Sequence, residues 1–489
     1  MADKPNILFV FADQLRGSSL GHVGQEPVIT PNLDAFAREG VRFTRAVANA
    51  PLCCPMRASL ITGLHPLSHA VVGNDILLRQ DVPTIAKSLS AIGYRTAYIG
   101  KWHLDGPDRG AFTPPGPRRQ GFEYWAAANC VHSYFESFYY RDSPDPIWID
   151  GYEPTAQTDL AIDYLRTAEH DGSPFCLFLS WGPPHCPYNQ VPTRFREMYD
   201  AASIPPRPNA IDPNMEIIAG YYAHITALDW NFGRLIEALD QLALARDTLV
   251  IFTSDHGDML FSQGRGWKCK PWSESVIVPF IARWPGVIPA GREEDAPFGL
   301  VNTTPSLLSI CGARLPSHSE RSEESAFPKH AAKQIPRGAR NDYGQMEAVP
   351  YPDMILGRDG PRPDSTPIYF HMRATKPSPD AWRGVVTRTH TYARFADRSW
   401  VLYNDADDPY QLRNLVDDPA SRPLLNEMQS ELDRWLNSMN DPFESFSDLA
   451  ARLGLDTNDN GIPRHYYTPE ITQEIARRSA NRDHKMREA

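Results

Sequence analysis

No apolar run in this sequence is long enough to span a membrane. The first, Asn6-Ile7-Leu8-Phe9-Val10-Phe11-Ala12, stops at Asp13. No small-residue cleavage site follows it, so it reads as a first buried strand rather than an export signal, and the cytoplasm is the expected location. A basic surplus is also missing. The 489 residues carry 49 Lys and Arg against 60 Asp and Glu, a formal charge of −11. That balance argues against non-specific binding to nucleic acid or anionic membranes, but not against a local cationic pocket for a small anion. Nor is there a cysteine framework. The 7 cysteines, at 53, 54, 130, 176, 186, 269 and 311, are odd in number, scattered and without metal-ligand spacing. A disulfide-stapled small domain is excluded, and most of these thiols should be buried.

What is present is a chain of ordinary globular composition, 42% hydrophobic and 22% charged, long enough for one large domain and a smaller one. Short β-branched and aromatic runs alternate with helical patterns. Strands are expected at 6–12, 94–100, 175–181, 248–254 and 278–284, and helices at 31–39, 82–92, 155–169, 214–242 and 303–311. Continuous apolar strands of this kind suit a sheet covered on both faces, so the alternation predicts an open, mostly parallel α/β sheet. Residues 317–342, rich in Ser, Glu, Lys and Arg, lack apolar periodicity and read as a disordered insertion in a large α/β domain covering 1–365. A smaller α+β subdomain is expected over 366–440. In it, Arg383–Phe395 and Trp400–Tyr403 read as antiparallel strands and 420–438 as an amphipathic helix. Residues 441–489 read as a charged arm or tail.

Polar residues cluster where the strands end. Strand 6–12 runs into Asp13-Gln14, 94–100 into Lys101-Trp102-His103, 175–181 reaches His185 after Gly-Pro-Pro, and 248–254 runs into Asp255-His256-Gly257-Asp258. Ligands of open α/β sheets sit beyond the carboxyl ends of the strands, so these groups are expected to converge on one site. Asp13, Gln14, Asp255 and His256 together offer mainly oxygen donors with one imidazole. That set suits Ca²⁺ or Mg²⁺ by hardness, with Mn²⁺ open because of the imidazole. Arg57 follows Cys53 by one helical turn if Pro55 opens a helix. Trp102, Trp181, Trp267 and Trp272 flank these segments; most should pack, while one could stack on a sugar or aryl group.

Cys53-Cys54-Pro55-Met56-Arg57, followed by Thr62-Gly63, resembles the Cys-x-Pro-x-Arg signature of the type I sulfatases. Gly100-Lys101-Trp102-His103, Pro183-Pro184-His185-Cys186-Pro187 and Trp267-Lys268-Cys269-Lys270 ahead of Glu274 resemble further motifs in the family's order. The resemblance implies an alkaline-phosphatase-like fold, a large and mostly parallel sheet sandwiched by helices. It also implies oxidation of Cys53 to formylglycine by a formylglycine-generating or anaerobic maturation enzyme, with Cys54 the free position. Asp13 and Asp255 would be ligands of the cation, usually calcium, with Gln14, His256 and residue 53 beside them. Gln14 and His256 depart from the commonest pattern, as in choline-sulfatase-like and phosphonate-hydrolase-like branches.

The same resemblance implies the chemistry. The aldehyde hydrate attacks sulfur, helped by Arg57, while Lys101 and Lys268 neutralise the sulfuryl oxygens. His185 with Lys268 would protonate the leaving alcohol, and His103 would accept the proton of the second hydroxyl as sulfate is expelled. Lys270 is an alternative to Lys268 in that register, and Asn74 is expected to touch the bound anion. The expected substrate is a small-molecule or glycan sulfate ester. The alternative is a phosphonate monoester or phosphodiester, against which the Lys101–His103 pair argues.

Overall fold

Every residue from Ile7 to Ala12 is apolar and buried, so this strand has no solvent face and must lie inside a sheet. In the computed structural model, which describes residues 4–169, 172–313, 348–372, 381–458, 463 and 465–489, it does. The strands in chain order are β1 (Asn6–Asp13), β2 (Val41–Val47), β3 (Arg95–Lys101), β4 (Tyr124–Ala128), the small hairpin β5 (Phe138–Tyr139) and β6 (Ile147–Trp148), β7 (Phe175–Pro184), β8 (Thr248–Ser254), β9 (Ile277–Arg283), β10 (Arg292–Glu294) and β11 (Phe298–Gly299). A 9-stranded sheet has the order β10-β2-β9-β8-β1-β7-β3-β4, with β11 also pairing to β2. Its pairings are parallel except where β9 meets β2 and β8. Alternate side chains of β1 serve different cores. Ile7, Phe9 and Phe11 face helices Cys53–Thr62 and Thr303–Ile310, whereas Leu8, Val10 and Ala12 face Pro31–Arg38, Glu153–Glu169 and Met215–Gln241.

The expected helix over 82–92 is shorter, Ile85–Ser90. Thr84 caps it by accepting from the Lys87 N–H, and the chain leaves through Gly93 at φ 91°. The strand 278–284 is present but runs antiparallel as β9. The segment 383–395 is not one strand: β13 (Trp382–Thr387) and β14 (His390–Arg394) turn on each other. With β12 (Ser365–Phe370) and β15 (Ser399–Asn404) they form a separate 4-stranded antiparallel sheet. Helix Arg422–Ser438 covers it with Leu425, Met428, Leu432 and Leu436. The terminal segment packs rather than trailing. Ile471 joins Ala128, Val131, Phe138 and Tyr140, and the Tyr467 hydroxyl donates to the Cys130 carbonyl at 2.8 Å. The expected insertion at 317–342 lies outside the described residues. Among those described, no helix is long and apolar enough to cross a membrane.

Candidate active site

The strands that end in polar residues, β8, β1, β7 and β3, are consecutive in the sheet. Register then aligns their tips. Ala12 sits opposite Ser254 and Asp13 opposite Pro184, so Asp13, Asp255 and His185 emerge side by side. Backbone bonds from Asp255 N–H to Ala12 C=O (3.2 Å) and from His185 N–H to Asp13 C=O (3.1 Å) fix that alignment. Gly100 explains itself in the same terms. It sits at φ 100°, and a Cβ there would lie 2.0 Å from the Ser180 carbonyl of β7. Gly257 is equally constrained, since its Cβ would lie 2.0 Å from Glu274 O.

Cys53 opens helix Cys53–Thr62 and points its thiol into this cluster. Pro55 is the third residue of the helix rather than the first, a position whose missing N–H costs no intrahelical bond. The Cys53 Sγ lies 3.2 Å from Lys268 Nζ, 3.2 Å from His256 Nε2 and 3.7 Å from Asp13 Oδ1. Against burial and the Asp13 charge, Lys268, Lys101 and His256 hold this thiol well below its ordinary pKa, so the Sγ position favours negative charge. Cys54 differs. Burial raises its thiol, and its sulfur accepts the Asp75 N–H at 3.2 Å.

Asp13, Cys53, Asp255 and His256 offer ligand atoms that all lie within 4.8 Å of one another. Two observations fit this group to a divalent cation. The His256 Nδ1 lies 3.1 Å from the Gly257 carbonyl, which can only accept, so Nδ1 carries a hydrogen and Nε2 is the ring nitrogen that faces the carboxylates, where a cation can take the place of a proton. Second, the two buried carboxylates are held apart electrostatically. Against burial, Lys101 with His185, Lys268 and Arg57 keeps Asp13 well below the carboxylate range, whereas burial and then the Asp13 charge push Asp255 up. A cation between them relieves that repulsion.

Arg57 directs its guanidinium to these carboxylates. It donates to Asp255 Oδ2 (2.9 Å), Asp13 Oδ2 (3.2 Å), Ser180 Oγ (2.8 Å) and the Lys101 carbonyl (2.7 Å). Lys101 Nζ donates to Asp13 Oδ2 at 2.5 Å. Lys268 Nζ bridges Cys53 and Gln14 Oε1 (2.6 Å); of the two lysines in that register, it is the one in the site. Gln14 is steered by Asp258, at the end of the polar run 255–258, together with Tyr188, which the sequence did not single out. Asp258 Oδ2 accepts from Gln14 Nε2 and from the Tyr188 hydroxyl, each at 2.6 Å.

His185 Nδ1 bonds the Cys186 carbonyl at 2.8 Å, and burial, then Lys268, pushes its pKa down to about 3. Its ring stacks on His132 at 4.2 Å, a partner with no sequence signal. His103 bonds Asp75 Oδ1 at 3.0 Å rather than Cys53, and Arg109 grips Asp75 through two bonds of 2.8 Å. Asp75 could have been suspected, since it adjoins Asn74. Asn74 itself turns Oδ1 to the Cys54 backbone N–H at 3.0 Å, at the start of the helix. Backbone strain collects here: Gln14, Asp75, His103, Trp267 and Cys269 all have φ between 56° and 73°.

A family model described as Sulfatase matches residues 5–313. The ulvan-active sulfatase of Formosa agariphila is 35% identical over 90% of this chain and 83% of its own length. The endo-4-O-sulfatase of Bacteroides thetaiotaomicron is 29% identical over 92% of this chain and 96% of its own. A solved structure from work on glycosaminoglycan metabolism by Bacteroides thetaiotaomicron superposes with a TM-score of 0.77 at 26% identity, covering 92% of this chain and 99% of that one. The phosphonate monoester hydrolase of Agrobacterium radiobacter, at 20% identity, 95% and 100% coverage and a TM-score of 0.68, shares the fold.

Proposed function

The chain belongs to the sulfatase family, and from that premise we propose that it cleaves a sulfate monoester carried on a glycan, using formylglycine made from Cys53 and a divalent cation beside it. Sulfuric ester hydrolysis itself follows from the family. One observation carries the finer reading: Lys268, His256 and Asp13 all meet the Cys53 sulfur, at a position electrostatically suited to an oxyanion. The names of relatives, an ulvan-active sulfatase and an endo-4-O-sulfatase, support a glycan substrate.

Asp13, Gln14, Asp255 and His256 would hold the cation. Once bound, it would act as a Lewis acid, supplying positive charge where negative charge develops. Formylglycine supplies a hydrated aldehyde, whose two hydroxyls permit both attack and regeneration. The chain's own residues do the rest. Arg57 bonds both carboxylates and orients them. Lys101 and Lys268 face the charge that spreads over the sulfuryl oxygens as the S–O bond lengthens. Lys268, held above its ordinary value by Cys53 and Asp13 against burial, carries the proton for the leaving oxygen. His185 is neutral with its hydrogen on Nδ1, so its Nε2 accepts rather than donates until an anion arrives. Asp75 holds His103 for the proton transfer that follows.

The test pairs mass spectrometry with turnover. Protein co-expressed with a formylglycine-generating enzyme should show the aldehyde at Cys53, an intact Cys54, and metal-dependent release of sulfate. An activated aryl sulfate should exceed the matching phosphodiester or phenylphosphonate in kcat/KM by about tenfold or more, ~1.4 kcal/mol in transition-state binding. Full activity in Cys53→Ala overturns the nucleophile. Preference for the phosphorus ester moves the protein to phosphonate chemistry.

A further inference from the structure

Trp267 departs from the rest of the site. Lys101, His103, His185 and Lys268 are buried, as are Trp102, Trp181 and Trp272, yet Trp267 is 59% exposed. It is nonetheless held in place. Its carbonyl accepts the Met259 N–H at 2.6 Å, and its backbone sits at φ 66°, where a bulky side chain is disfavoured. The next residue in the chain is Lys268, whose ammonium touches Cys53. The indole meets the His185 ring at 6.4 Å between centroids, at 77°. A large apolar ring therefore stands in solvent at the edge of the site, beside the groups assigned to the leaving oxygen.

The other tryptophans near the site use their area for packing. Trp102 stands against Tyr98 and Trp125, and Trp272 against Trp400. Trp267 leaves most of its ring uncovered, and an aromatic ring fully buried removes on the order of 150–250 Å² from water. A partner that covers it gains the exposed part of that term, a little over half, without displacing protein contacts.

We infer that Trp267 is a carbohydrate platform, stacking under the sugar ring that carries the sulfate ester or the ring next to it. The inference rests on the sulfatase reading and names which part of the substrate the lip recognises. A pyranose fits the observed surface because it has a C–H face for the indole and a rim of hydroxyls that stay hydrated at an open lip. A compact aryl or alkyl group gains most from a closed slot, which an indole this exposed does not provide.

Binding can be separated from turnover. Cys53→Ala protein, which lacks the nucleophile, is titrated by calorimetry with ulvan-derived and chondroitin 4-sulfate oligosaccharides, with and without Trp267→Ala or Trp267→Phe. At least one oligosaccharide should bind. Trp267→Ala should weaken it about tenfold or more, and Trp267→Phe, which keeps a flat face, by no more than about threefold. In matured enzyme, Trp267→Ala should raise KM for that oligosaccharide about tenfold while kcat stays within about twofold. Equal affinity with and without the indole, or equal losses for Ala and Phe, overturns the inference. Matured enzyme that hydrolyses an aryl sulfate while no oligosaccharide binds also overturns it but leaves the sulfatase reading standing. Enzyme that releases sulfate from neither removes both.

Discussion

At the scale of single residues the site is a charge problem solved by position. Asp13 and Asp255 are fully buried beside each other; Arg57 bonds both and Lys101 bonds Asp13. Asp13→Ala and Asp255→Ala should each fold, lose bound metal and lose nearly all turnover. Removing one partner from a buried charge cluster costs about 3–5 kcal/mol. Elemental analysis showing full metal occupancy in both variants would sink the cation assignment. A subtler expectation concerns Asp258, which touches neither the sulfur nor the carboxylates but aims the Gln14 amide. Asp258→Asn replaces an acceptor of three hydrogen bonds, from Gln14, Tyr188 and the Leu260 N–H, with a group that accepts less well. It should weaken metal affinity by about 10–100-fold, as loss of an orienting outer partner does, while Cys53 remains convertible. Chelator titration measures this, and affinity equal to wild type refutes it.

At the scale of elements, helix Cys53–Thr62 is buried along its whole length and carries Cys53, the proposed nucleophile, at its first position. A reactive group there depends on how the helix starts. Leu52, the residue before it, offers no side-chain cap, and Asn74 from a distant loop bonds the Cys54 N–H instead. Asn74→Ala should cost about 1 kcal/mol of stability, the usual worth of a lost cap, and Asn74→Asp should recover most of it. Urea unfolding at neutral pH decides this; an Ala variant as stable as wild type would leave Asn74 free for the anion contact expected from the sequence.

At the scale of the molecule, a buried ionic network ties separate segments together behind the site. Glu26 accepts from Arg16, and Arg207 bonds both Glu26 and Glu274. Burial alone would raise the Glu26 carboxyl, but Arg16 and Arg207 win and bring it down from 4.5 to about 2. A depressed carboxylate stabilises the fold fully above its unfolded value and loses that contribution as pH falls through the folded one. About 3 kcal/mol should therefore be present above about pH 4.5 and lost progressively toward pH 2. Glu26→Gln should be clearly less stable than wild type at pH 6, and the gap in Tm should narrow as pH is lowered to 3. A gap that stays constant over that range argues against the linkage.

Much of this arrangement was legible in the sequence because its causes are local or periodic. An unbroken apolar run such as Ile7–Ala12 can only be a strand covered on both faces. Parallel strands present their carboxyl ends together, so Asp13, Lys101, His185 and Asp255 had to gather at one edge of the sheet. The 383–395 segment misread as one strand shows the limit, since an apolar run does not mark where a hairpin reverses. The sequence by itself determined the architecture, the family and which residues crowd the site. Only the tertiary structure decided where each donor points. Arg57 faces two carboxylates, Gln14 is turned by Asp258 from 244 residues away, and His185 lies on His132. The exposure of Trp267 at the lip belongs to the same class. These directions follow from strand register, from left-handed backbone at Gln14 and Trp267, and from partners distant in the chain, none of which leaves a periodic trace along it.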